Sequence, residues 1–227
     1  MRERQGKASA SGRDGMDHRT QIGILVFPQV TQLDFTGPYE VLTRVSNADV
    51  HLLWKNLRPI RSDKGLVITP TRSFRNVSHL DVILVPGGPG VNRLMEDRGV
   101  LNVLGRWAKS ARYVTSVCTG ALVLGAAGLL RGYRATTHWA ALEFLPAFGA
   151  IPTAGRVVVD RNRITGGGVT AGIDFALLLS AELRGEAHAR LIELQIEYNP
   201  APPFGSGHPS VAGKARNSGE DGIGEAA

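Results

Sequence analysis

Residues 112–130, RYVTSVCTGALVLGAAGLL, constrain the fold more than any other stretch of the chain. Tyr113-Val114-Thr115-Ser116-Val117 is β-branched or aromatic at four of five positions, which suits a buried strand. The following ALVLGAAGLL is rich in Ala and Leu and suits a helix. Only Cys118-Thr119-Gly120 lies between them, so the chain must turn sharply from strand to helix at its single cysteine. A side chain on such a turn points toward the first backbone N–H groups of the helix, where the dipole favours an anion. One expectation is therefore a reactive thiol of lowered pKa. The other is a buried small apolar residue, the commonest position of a free cysteine.

The rest of the chain alternates in the same way. QIGILVF at 21–27, closed by Pro28, reads as a first buried strand, and residues 50–54 and 81–85 repeat the pattern. Residues 66–70 look like an excursion at the sheet edge, 133–137 like a short polar strand, and 157–165 like a hairpin. Helices are expected from Thr36 as N-cap, with Pro38 in the first turn and Glu40 as a capping-box acid, and over residues 91–110. Further helices are expected over 140–148 with Gly149 as the stop, over 173–183, and over 186–198 before Asn199-Pro200. Buried strands alternating with helices predict an α/β fold, a single-domain three-layer sandwich around a mostly parallel sheet. Its span is residues 21–204, between a polar leader at 1–20 and a Gly-, Ser- and charge-rich tail at 205–227, both expected to be disordered.

In open α/β sheets, ligands bind beyond the carboxyl ends of the strands. Asp34, the Gly87-Gly88 pair and Cys118 all follow predicted strands, so all three can meet at that edge. Asp34, just before the expected helix start, is either a cap or a carboxyl group directed into a pocket beside the thiol. Gly87 and Gly88 either form a tight turn or let backbone N–H groups approach a ligand as an anion site. His138, in Thr136-Thr137-His138-Trp139, is either a catalytic base or a structural hydrogen-bonding group. His18, His51, His79, His188 and His208 show no paired ligand spacing, so neither a metal nor a cofactor is expected.

The net charge of +6 and pI near 9.9 raise nucleic acid as a partner. The Lys and Arg residues are nevertheless scattered, without a basic run interleaved with aromatics or a helix-turn-helix pattern, so no nucleic-acid partner is expected. No apolar run approaches the roughly 20 residues that cross a bilayer, which argues against a membrane partner. A lone cysteine and a leader lacking the apolar centre of a signal peptide fit a cytoplasmic protein.

FPQVTQLDFTGPYEVL, DVILVPGG, YVTSVCTGALVLGAAGLL, ATTHWA, TGGGVTAGIDFALLL and EYNPAPPF occur in unbroken order. Together they resemble the ThiJ/PfpI superfamily, with its glutamine amidotransferase-like fold, and within it the isocyanide hydratases. The resemblance runs from about Gln21 to Phe204. Thr119 stands where the protease-like members carry histidine. What the resemblance implies is cofactor-free hydration of organic isocyanides to N-substituted formamides by a homodimer. It makes Cys118 the nucleophile, Asp34 the proton-transferring carboxyl group and Thr119 a residue of the site; Gly87, Gly88 and Gly120 line the anion pocket. Val169 replaces an expected isoleucine, and the chain after Phe204 departs from the family's helical extension. Two other activities share these motifs: a superfamily cysteine hydrolase, deglycase or redox-sensing thiol, and the sensor half of AraC-type transcription regulators. The latter continue into a DNA-reading region, of which nothing is evident after Phe204.

Overall fold

A computed structural model describes residues 19–212. The most apolar runs become the middle of a seven-stranded sheet. In chain order, β1 (Thr20–Leu25) leads to α1 (Gln32–Leu42) and β2 (Ala48–Trp54). A two-stranded hairpin, β3 (Ile60–Arg61) and β4 (Val67–Ile68), precedes β5 (Arg72–Ser73). Then come β6 (Val82–Val85), α2 (Val91–Glu96), α3 (Arg98–Ala108), β7 (Tyr113–Val117) and α4 (Gly120–Ala126). β8 (Arg134–Ala135), a 3-10 helix (Trp139–Phe148) and β9 (Ile151–Pro152) follow. The hairpin β10 (Val157–Asp160) and β11 (Arg163–Gly166) leads into α5 (Ala171–Arg184) and α6 (Glu186–Gln195).

The sheet runs β10-β11-β7-β6-β1-β2-β5, with every neighbouring pair parallel except β10 with β11. Parallel strands need helical crossovers, which cover both faces, and that is why β6 and β7 are buried at every position. α5 packs against both α1 and α6 in one layer; α2, α3 and α4 form another. This is the expected three-layer arrangement. On the second side, the rings of Phe27, Trp54, Phe74 and Trp107 form a chain with centroid separations of 6.4, 5.8 and 5.4 Å. The chain leaves β1 in opposite directions, to β2 on one side and toward β6 on the other. Such a switch point opens a crevice at the carboxyl ends of the strands.

Several boundaries differ from the sequence expectation. α1 starts five residues earlier, after Thr31, so Asp34 lies within its first turn and Pro38 inside the helix. Thr36 does not cap; its hydroxyl donates back to the Gln32 carbonyl at 2.9 Å. The helix expected over 91–110 is two, because Asp97 leaves the helical conformation and its carboxylate caps α3 by accepting from Gly99 and Val100 N–H at 3.0 and 3.2 Å. Residues 139–148 form a 3-10 helix, with Pro146 inside it and Gly149 in the left-handed conformation at its end. The polar strand shrinks to Arg134–Ala135, and α6 stops at Gln195, three residues before the expected end at Tyr198. At the start of the domain, Arg19 pairs with Asp49 at 2.8 Å and Thr20 already belongs to β1. The rest of the expected leader, residues 1–18, lies outside the described residues, as does 213–227 of the expected tail.

Candidate active site

The elbow forms as its residues demand. Cys118 has φ +56°, a left-handed conformation that a residue with a Cβ adopts at an expense of roughly 1–2 kcal/mol. Backbone bonds hold it there: its N–H donates to the Gly166 and Gly167 carbonyls at 3.1 and 2.9 Å. Its carbonyl accepts the Thr137 hydroxyl at 2.8 Å. Gly120 then lets α4 start directly against β6. A Cβ on it would lie 2.0 Å from the Val85 carbonyl oxygen, so no other residue fits. Gly120 is therefore required by packing at the start of α4.

The elbow exposes the sulfur to two backbone donors, the N–H groups of Thr119 and Val169. Asp34 approaches from the first turn of α1. It is fully buried, and its Oδ2 accepts the Gly87 N–H at 3.0 Å, while Oδ1 has no hydrogen-bond partner. The thiol and carboxyl groups lie close enough to interact through a proton. Burial raises the Asp34 carboxyl from 3.8 to about 6; the thiol and the Gly87 N–H oppose this, and the Asp63 charge adds to it. Burial likewise pushes the Cys118 thiol up to about 12, helped by the negative charge on Asp34 and opposed by the Thr119 and Val169 N–H groups. The expectation of a lowered thiol pKa is thus reversed. The helix-end donors are present, but loss of water around a nearly sealed sulfur beside a carboxylate outweighs them. Burial thus disfavours the charged form of both groups, and the thiol, raised the further, holds a proton in preference to the carboxyl group.

Gly87 and Gly88 lie where expected, with different work. The Gly87 N–H is taken up by Asp34, and the Gly88 N–H donates to the Thr119 hydroxyl at 3.0 Å. They hold the acid and the threonine instead of presenting free donors. Neither position has room for a side chain: a Cβ on Gly87 would sit 2.6 Å from Thr119 N, and one on Gly88 2.4 Å from Thr31 N.

His138 does not join this group. Its Nδ1 accepts the Ala140 N–H at 3.3 Å, capping the 3-10 helix, and its ring stacks on Trp139 at 5.4 Å and packs against Gly168. Burial alone lowers its pKa, with no acid acting on it. The hydrogen bond it makes in this structure is the structural one, to the Ala140 N–H. Three contributors escaped the sequence reading: the Thr137 hydroxyl, the Val169 N–H and Asp63. The paired hydroxyls of Thr136-Thr137 were a visible signal for the first; the other two arrive through loop geometry that no local pattern announces. Among the described residues, no three His, Cys, Asp or Glu side chains are grouped to hold a metal ion. No helix among them is long and apolar enough to cross a membrane.

Comparison with known proteins extends this geometry. Residues 20–182 match the profile of the DJ-1/PfpI family. Isonitrile hydratase of Pseudomonas putida is 60% identical over 195 residues, which cover 86% of this chain and 86% of that protein. A crystal structure of a ThiJ/PfpI family protein from Pseudomonas syringae superposes with a TM-score of 0.86 at 42% identity, covering 93% of this chain and 90% of the other. The HTH-type transcriptional regulator GbdR of Pseudomonas aeruginosa is 31% identical over 183 residues, covering 77% of this chain but 48% of the regulator.

Proposed function

The chain belongs to the DJ-1/PfpI family, and from that membership we propose that it hydrates organic isocyanides to N-substituted formamides. Its similarity over nearly the whole domain to the isonitrile hydratase of Pseudomonas putida supports the reaction. The observation that carries the chemistry is the Cys118 thiol on the elbow beside the buried Asp34 carboxyl group, with the Thr119 and Val169 N–H groups at the sulfur. An isocyanide carbon needs a soft nucleophile and a proton delivered to the same atom, and this pair supplies both.

As the sulfur bonds to the terminal carbon of the isocyanide, its proton passes to Asp34. Asp34 returns that proton to the same carbon, leaving a thioimidate on Cys118. Water then adds across the C=N bond, its hydroxyl to carbon and its proton, relayed by Asp34, to nitrogen. The C–S bond breaks as the new hydroxyl becomes the formyl carbonyl, and its proton returns to sulfur. Thr119, whose hydroxyl oxygen already accepts from Gly88, has its own hydroxyl proton free to steady the substrate nitrogen. Gly87 keeps Asp34 aimed at the thiol.

Incubating the protein with an aryl or alkyl isocyanide should yield the formamide, and Cys118→Ala should yield none. No product from the parent, or equal product from the variant, would remove the assignment. The similarity to GbdR favours a sensor domain as the second reading, and catalytic turnover distinguishes the two. A homodimer and a cytoplasmic location belong to the same proposal. The exposed apolar Leu191 and Leu194 on α6 are surface that a second copy could cover. Sedimentation of the purified protein and fractionation of cells test these two parts.

A further inference from the structure

The β3–β4 hairpin lies outside the seven-stranded sheet, yet it is fastened to the loop that carries Asp34 into the site. Gln29 N–H donates to the Arg61 carbonyl at 2.8 Å, and Asp63 N–H donates to the Val30 carbonyl at 3.1 Å. The Thr31 hydroxyl donates to Asp63 Oδ2 at 3.3 Å, and Thr31 is the N-cap of α1, three residues before Asp34. The loop after β6 closes the assembly, with Thr31 N–H bonded to the Gly87 carbonyl at 3.0 Å and Gly90 N–H to the Gln29 carbonyl at 3.2 Å. Gln29 itself is held at φ +64°, a conformation such interlocking can maintain. Asp63 therefore has one oxygen on the cap of the catalytic helix. Its other oxygen, Oδ1, is buried without a hydrogen-bond partner, as is Asp34 Oδ1. Buried acceptors without a protein donor are few in a native fold, and two of them lie on these two carboxyl groups.

We propose that Asp63 is a positioning residue for Asp34: its carboxylate braces the start of α1, and its charge makes Asp34 retain the proton it takes from Cys118. The charge acts on Asp34 in the required direction, as a second negative group close to a buried acid must. Among the described residues, the other titratable side chain acting on Asp34 is Cys118, from the elbow. The loop after β6 presents backbone alone, through the Gly87 N–H. Where α5 packs on α1, it does so through Ile173 against Gly37 and Gly172 against Pro38. The basic neighbours of Asp63 on the hairpin, Arg61 and Lys64, are exposed, and the Arg61 guanidinium turns back to the Gly65 carbonyl. Without Asp63 the acid would be a weaker base, and less of the pair would exist as thiolate and carboxylic acid, the form that attacks carbon.

This role deepens the hydratase reading and rests on the same proton pair, but its test can be read without isocyanide. Alkylation of Cys118 by iodoacetamide, followed by mass spectrometry from pH 4 to 8, should rise through about pH 6 in the parent as Asp34 loses its proton, then level off. Asp63→Asn keeps an oxygen for the Thr31 hydroxyl and removes the charge. It should move the rise to lower pH by about half a unit and slow the plateau about threefold, since one change in basicity governs both. Asp63→Glu, which keeps the charge, should recover most of the shift. A profile for Asp63→Asn that coincides with the parent overturns the proposal, as does a slower plateau with an unmoved rise, the mark of a purely structural effect. If Asp63→Asn fails to fold, Asp63→Ser is read by the same two outcomes. Formamide production measured in parallel separates the two ideas: its absence in the parent sinks the hydratase assignment and leaves the alkylation profile standing.

Discussion

At the scale of single residues, the site is built from a carboxyl group kept in an unfavourable place. Asp34 is fully buried with its carboxyl raised from 3.8 to about 6, so ionising it in the folded chain is opposed by on the order of 3 kcal/mol. Because the folded-state value is the higher, the folded form binds the proton more tightly. Stability from this group is fully present below about pH 4 and is lost as pH rises to about 6. Asp34→Asn should therefore raise the melting temperature by several degrees at pH 7.5, lose that advantage at pH 4, and abolish most formamide production. Calorimetry at the two pH values and an isocyanide assay check it. An unchanged melting temperature would mean that the Asp34 carboxyl is not raised above its ordinary value in the folded protein. Little of this was legible in the sequence. Cys118 announced itself by standing between strand and helix, but the direction of its pKa shift depends on water exclusion by segments far away in the chain. Asp63 is 29 residues from Asp34, on a hairpin whose place over the first loop no periodicity describes.

At the scale of elements, the glycines after β6 and β7 decide whether the loops can mesh. Gly120→Ala would drive a methyl group against the Val85 carbonyl, which cannot retreat without breaking β6 from β7. A loss of about 3 kcal/mol in urea unfolding is expected, with Gly105→Ala inside α3 as the control: its added Cβ meets nothing within 4 Å, and it should gain up to about 1 kcal/mol. The central strands and the elbow were readable because buried parallel strands require unbroken apolar runs and the helix that follows requires a different composition. Element ends were less so. Thr36 carries all the marks of a cap, yet Thr31 takes that place because the loops after β1 and β6 bond to each other there. Asp97 shows the same limit from the other side, where one carboxylate cuts an apparently continuous helix in two.

At the scale of the whole molecule, the sheet concentrates stability at its centre and leaves the reactive edge to loops. β1, β6 and β7 are flanked by strands on both sides and covered by helices. The two-residue pairs β3–β4 and β8–β9 stand apart. Native-state hydrogen exchange should find the amides of β6 and β7 exchanging only with global unfolding. Those of β3–β4 and β8–β9 should exchange through local opening, faster by several orders of magnitude. Uniform exchange across these strands would contradict this division.

The proton that Cys118 keeps at rest has a consequence beyond turnover. Peroxides consume thiolates, and oxidation to sulfenic acid follows thiolate content and access. A cysteine only 6% exposed, whose thiol is pushed up to about 12, offers little of either. Such a nucleophile is sheltered from oxidants until a substrate draws its proton away, which sets this cysteine apart from one built to sense peroxide.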